Sequence, residues 1–177
     1  MIIPPSIEAL VRAAGFTQIR TLDWGEHVVL EHGAARLTLT AVPAHHAHDP
    51  ALDAQLGRVN GYVLTWAGAA APYTAYWTGD SVLFDGQTDP LAAVGPIDLL
   101  IPHMGAVGCD GAQGLRTMDA DEAVALVARV QPRRVVPIHH ATFGHYREPI
   151  SALEQRAETA GWRGRLTVVP EGGAVRF

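Results

Sequence analysis

The chain has one cysteine, no lysine and no apolar run as long as a membrane span. Each absence excludes something. Cys109 alone cannot build an internal disulfide framework, and so sparse a use of cysteine fits a reducing compartment. Without a membrane span, and with no signal peptide visible ahead of Ile2, the expected location is the cytoplasm, with no membrane partner. The 13 basic residues are all arginine and are outnumbered by 18 acids, giving a formal charge of −5. No basic face for nucleic acid is expected from that balance. There is no Gly-x-Ser-x-Gly nucleophile elbow and no Gly-x-x-x-x-Gly-Lys phosphate loop. What remains is a chain of 177 residues, 48% hydrophobic and 18% charged. That is too apolar for a disordered tail, too poor in charge for a coiled coil, and about one domain long.

Histidine is the abundant chemical residue, with nine copies. His27 and His32 fall in a surface hairpin. The others group as His45, His46 and His48, then His103, then His139, His140 and His145. Such clusters point to metal or acid–base chemistry.

The pattern around them predicts an α/β fold with a mixed sheet. Ser6 reads as the cap of a helix carrying Ile7, Leu10, Val11 and Ala14, closed by Gly15. Strands are predicted at 18–22, 26–31 and 36–42, followed by a loop over 43–58. A strand pair at 59–66 and 73–78 turns through Gly68–Pro72. Ile97–Ile101 and Arg134–Ile138 read as buried strands and 166–169 as a last one. Asp119 and Glu122 form a capping-box pattern for a helix to Val130, and Pro149 opens another that reaches Ala160. Strands that pair locally and then alternate with helices make the mixed sheet.

Three predicted strands end in metal-ligand side chains: Pro43-Ala44-His45-His46, Thr78-Gly79-Asp80 and Pro137-Ile138-His139-His140. Strands of an α/β sheet deliver their last residues to one rim, where ligands bind. A carboxylate and two imidazoles at that rim suit a divalent cation.

With these motifs the chain resembles the metallo-β-lactamase fold hydrolases, in the branch similar to ascorbate lactonases and N-acyl-phosphatidylethanolamine phospholipases. The resemblance runs from Met1 to about Glu148. Asn60-Gly61-Tyr62-Val63, Leu100 to Ala106 and Thr117 to Ala123 add to it. It implies metal ligands at His46, Asp80 and His139, with Asp80 bridging two cations. It also implies hydrolysis of a small-molecule ester, lactone, amide or phosphodiester by a water that the metals acidify. Zinc is the expected cofactor, with manganese or iron as alternatives. His103 and His145, whose runs lie beside the site motifs, join Asp80 as candidate catalytic residues.

The family's His-x-His-x-Asp-His motif is missing from the sequence. The chain therefore resembles the C-terminal portion of an αββα sandwich and is expected to be an N-terminally truncated single domain, 1–177. With two protein ligands for each of two cations, or one cation shared by His46, Asp80 and His139, weak or partial occupancy is expected. The other class of reading is an inactive half-domain or wrongly started fragment. In either case an uncovered core face would favour homo-oligomers.

Overall fold

The protein is described by a computed structural model over residues 1–68 and 71–176. A small parallel pair, β1 (Ile2–Ile3) and β2 (Arg20–Thr21), brackets a single turn of 3-10 helix and α1 (Glu8–Ala13). Ser6 does not cap that helix. Pro5 opens the 3-10 turn and carries Ser6 into it, and the hydroxyl donates to the Arg58 carbonyl at 2.6 Å.

The main sheet holds six strands in chain order: β3 (His27–His32), β4 (Ala35–Ala44), β5 (Val59–Ala67), β6 (Tyr73–Trp77), β7 (Leu99–Ile101) and β8 (Arg134–Val135). Pairing is antiparallel from β3 to β6 and parallel from β6 to β8. This polarity positions the site. Because β4 and β6 both run against β5, the strands β4, β6, β7 and β8 all point the same way, and their C-terminal ends share one rim. The turn expected at Gly68–Pro72 includes positions 69 and 70, which lie outside the described residues.

The strands are shorter than their apolar runs where proline intervenes. Pro102 and Pro137 have no N–H to donate to the β7–β8 ladder. It continues past β8 as single bonds, Val136 N to Leu100 O at 2.9 Å and Ile138 N to Pro102 O at 3.1 Å. The predicted strand at 166–169 reduces to one parallel bridge between Val135 and Leu166.

Two further expectations need correcting. The segment 43–58 is not all loop, because it contains α2 (Pro50–Leu56). Asp49 caps that helix by accepting from Leu52 N at 2.8 Å, Pro50 takes the first turn, and Gly57 ends it at φ +84°. Asp119 does cap α3 (Ala120–Val130), but Glu122 does not complete a capping box. Its carboxylate instead meets His48 Nε2 at 2.5 Å and accepts from Leu83 N at 3.3 Å.

The core lies on one side of the sheet. Val42, Val63, Tyr76, Leu100 and Val135 share that face and pack on Leu126 and Val127 of α3 and on Leu153 and Ala157 of α4 (Ile150–Thr159). The opposite face carries Leu39, Leu64 and Trp77 around a small cluster of Leu22, Val28, Ala41 and Tyr62. It is covered thinly: Leu30 is 50% and Trp66 41% exposed. Thus the side of β4 that carries Leu39 and Ala41 is the lightly covered side of the sheet. No helix among the described residues is long and apolar enough to cross a membrane.

Two glycines let β6 end where it does. A Cβ on Gly61 would stand 2.9 Å from the Thr78 carbonyl oxygen, and one on Gly79, at φ +66°, only 2.5 Å from that of Asn60. Gly79→Ala is therefore expected to cost about 3 kcal/mol or more, since strain and a backbone clash combine. Gly95→Ala, also at positive φ but in open space, should cost about 1–2 kcal/mol. Urea midpoints of the two variants check the difference.

Candidate metal centre

Four side chains arrive at the rim from four strand ends: His46 after β4, Asp80 after β6, His103 after β7 and His139 after β8. Asp80 is at the centre. Its Oδ1 lies 2.6 Å from His103 Nδ1 and 3.5 Å from His139 Nε2, and its Oδ2 lies 3.7 Å from His46 Nε2. The first is a hydrogen bond, whereas the other two are too long to be good ones. They suit a different use. Two ligand atoms of one tetrahedral cation, each about 2.0–2.1 Å from it, stand roughly 3.3 Å apart. The two carboxylate oxygens thus each face a different imidazole at near-ligand spacing, a donor set that fits a divalent cation.

Hydrogen bonding fixes which ring nitrogens are available. The Trp77 indole N–H can only donate, and it points at His103 Nε2. That nitrogen must accept, so the proton of His103 sits on Nδ1 and is donated to Asp80. Both nitrogens of His103 are then engaged, although Asp80, His103 and His139 present ligand atoms within 4.8 Å of one another. His139 differs. Its Nδ1 meets the Met104 carbonyl at 3.1 Å and must be the donor there, which leaves the Nε2 lone pair directed at Asp80. His139 takes a left-handed backbone, φ +59°. A Cβ on Gly105 would stand 2.9 Å from the His139 carbonyl oxygen, so that segment needs glycine beside it.

Electrostatics favour the ligand forms of Asp80 and His46. Burial by itself would raise the Asp80 pKa, but the hydrogen bond from His103 and the nearby imidazoles of His139 and His46 outweigh it, and the carboxyl lies below its ordinary range. For His46, burial dominates over the pull of Asp80 and Asp53 and pushes the imidazole down, so it is neutral with a free lone pair at pH 7.

A supporting layer ties His46 to Asp80. Asp53, on α2, accepts from the His46 backbone N–H at 2.7 Å with Oδ1 and meets His45 Nδ1 at 2.7 Å with Oδ2. The His45 backbone bonds to Ser81 Oγ and to Val82 N, one and two residues beyond Asp80. The His45 ring packs on Phe84, 4.3 Å between centroids, away from the rim.

The rim opens into a cavity of about 380 Å³ in which His46, Asp80 and His139 form one part of the lining. Leu56, Val107, Arg116, Thr117 and His145 form the rest. His145 is exposed and stacks on Phe143 at 5.4 Å. The predicted site residues His46, Asp80, His103, His139 and His145 therefore meet in one region. Asp53, Trp77 and Arg116 were not singled out from sequence. The Asp49-Pro50 start and Gly57 stop would have revealed the helix that carries Asp53. Trp77 and Arg116 leave no local signal, since their roles come from contacts across the fold.

A mixed α/β sheet with a carboxylate ringed by imidazoles at its C-terminal rim defines a metal-site class of protein. Residues 4–140 match the model of the beta-lactamase superfamily domain, and the chain belongs to that family. It is 28% identical over 135 residues to a UPF0173 metal-dependent hydrolase of Pyrococcus abyssi, covering 76% of this chain and 52% of that protein. The chain thus spans about half the length of this curated relative. Among solved structures it resembles a possible metal-dependent hydrolase from Veillonella parvula, with TM-score 0.79 and 16% identity over 99% of this chain and 66% of the other. It also resembles an isothiocyanate hydrolase from Delia radicum gut bacteria, with TM-score 0.79 and 21% identity over 100% and 68%. At these identities the structural likeness establishes the fold.

The ring tautomers of His103 and His139 are open to direct measurement. Two-bond proton–nitrogen NMR correlations should show His103 and His139 protonated on Nδ1, the form less common in solution. In Trp77→Phe, His103 should lose that fixed pattern while His139 keeps it. An Nε2–H form of His103 in the unsubstituted protein would contradict the hydrogen-bond assignment.

Proposed function

We propose that the chain is a metal-dependent hydrolase, in which Asp80, His46 and His139 would hold divalent cations. The observation that carries this reading is the near-ligand spacing of both imidazoles from a carboxylate that a third imidazole already aims. The names of the Pyrococcus abyssi and Veillonella parvula proteins support it. Imidazole and carboxylate donors suit zinc first, and manganese or iron as well.

A bound cation would supply Lewis acidity and acidify water at the rim. The protein's own part is positioning. His103 holds Asp80 in one orientation and contributes no donor of its own, because Trp77 and Asp80 take both ring nitrogens. Asp53 fixes the backbone of His46. His145, at the open side of the cavity, relays a proton to the departing group. The scissile bond, a small ester, lactone, amide or phosphodiester link, breaks as the water oxygen adds to the acyl carbon or phosphorus and the leaving group takes up a proton.

The number of ligands limits the affinity. Each cation would draw two protein ligands from this chain, whereas catalytic zinc usually has three. After dialysis the chain should retain zinc weakly and below one equivalent, and Asp80→Ala should retain none. His103→Gln should bind zinc roughly 10- to 100-fold more weakly than the unsubstituted chain, the usual consequence of losing a group that orients a ligand. Equal zinc in the unsubstituted chain and Asp80→Ala, measured by atomic emission, would remove the metal reading. Zinc-dependent release of 4-nitrophenol from 4-nitrophenyl acetate or bis(4-nitrophenyl) phosphate tests the hydrolase reading itself.

A further inference from the structure

Arg116 is the one arginine in the cavity lining. Its Nε is buried and has no hydrogen-bond partner. Among the described residues no carboxylate pairs with its guanidinium, although most other arginines have such a partner, as Arg147 has Asp110 at 3.0 Å and Arg156 has Asp121 at 2.5 Å. A guanidinium with no carboxylate partner beside a cavity has donors to offer a ligand there.

The loop holds this charge in place. Arg116 N donates to the Val107 carbonyl at 2.7 Å, and Val107 N donates to Thr117 Oγ1 at 3.1 Å, so the two ends of the 107–117 loop are bonded together. Gly108, at φ +86°, lets the arginine pass: a Cβ there would stand 3.1 Å from Arg116 Nε and 2.4 Å from the Gly114 carbonyl oxygen. Asp80 is the single carboxylate in the cavity lining. Once a divalent cation sits against it, the cavity is net positive, in a protein whose formal charge is −5.

From these observations we infer that the substrate is a small anion-bearing molecule whose carboxylate or phosphate group is bound by Arg116, with its scissile bond placed over Asp80, His46 and His139. The inference rests on the hydrolase reading for the second half of that statement and stands alone for the first. A guanidinium presents its N–H groups as a planar fork matched to the oxygens of either anion, which a lysine ammonium cannot reproduce. The cavity volume, about 380 Å³, suits a compact ligand. Arg116 would act as an orienting group: it fixes one end of the molecule so that the reacting carbon or phosphorus meets the rim.

Two measurements separate this inference from the hydrolase reading. The first is binding of inorganic phosphate by titration calorimetry, on chelator-treated and zinc-loaded chain. The variants are Arg116→Met, Arg116→Lys and the control Arg36→Met, which removes an equal charge at the opposite end of β4. Arg116→Met should weaken phosphate binding roughly 10- to 100-fold, the worth of a hydrogen-bonded charged pair. Arg116→Lys should recover part of the loss, and Arg36→Met should match the unsubstituted chain. Phosphate affinity indifferent to Arg116 in both metal states would overturn the inference.

The second measurement compares 4-nitrophenyl butyrate with the mono-4-nitrophenyl ester of glutaric acid, which differ by a free carboxylate. The kcat/KM ratio should favour the anionic ester, and Arg116→Met should reduce that ratio. Turnover of both esters without preference, with phosphate binding unchanged by Arg116→Met, would end the inference and leave the hydrolase reading standing. Phosphate binding that depends on Arg116, with neither ester hydrolysed, would sustain the anion site and count against the hydrolase reading.

Discussion

The site is organised around the Asp80 carboxylate, held by one imidazole and faced by two others. Without His103 at 2.6 Å, the carboxylate would be free to rotate and its two oxygens would have no fixed assignment. With it, Oδ1 faces His139 and Oδ2 faces His46. The order is set by proton bookkeeping: an indole N–H cannot accept, so it forces the His103 proton onto the nitrogen next to Asp80. A backbone carbonyl at Met104 does the complementary job for His139 by accepting the hydrogen bond from its Nδ1–H. Both ring orientations are therefore chosen by groups that never need to touch a cation.

Strand polarity explains why these residues can meet. The ligands are far apart in sequence, but β4, β6, β7 and β8 run in one direction and end at one rim. Each strand end is then locked locally. Asp53 and Ser81 clamp the segment after β4, Gly61 and Gly79 let the turn after β6 sit against Asn60, and Gly105 makes room for the left-handed His139. A site built this way has little slack, which suits cation ligands whose spacing must be right to a few tenths of an ångström.

Much of this was legible in the residues. Strand ends closing in His46, Asp80 and His139 showed in the apolar runs before them, because a buried strand must expose its last polar side chain at an edge. The helix from Asp119 was legible from its cap. The helix at Pro50–Leu56 reads as loop, since a segment of 7 residues is too short to show a helical period, and only the Asp49-Pro50 start and Gly57 stop mark it. Glu122 was misread for a related reason: its spacing from Asp119 matches a capping box, but His48, brought near by the fold, offers a stronger partner than the backbone. Arg116 and Trp77 were invisible because what distinguishes them is the absence of a partner in one case and a contact across strands in the other.

Trp77 joins two features that look separate. It lies on the lightly covered face of the sheet, stacked on Tyr62 with ring centroids 5.7 Å apart and near Leu64 and Ala41. Its indole N–H also reaches His103, and through His103 it sets the orientation of Asp80. The same face includes Leu30 and Trp66, half open to solvent. Packing on that face therefore constrains the tryptophan whose N–H fixes the carboxylate, and any layer laid against it would tighten or shift the donor set by a path of two hydrogen bonds.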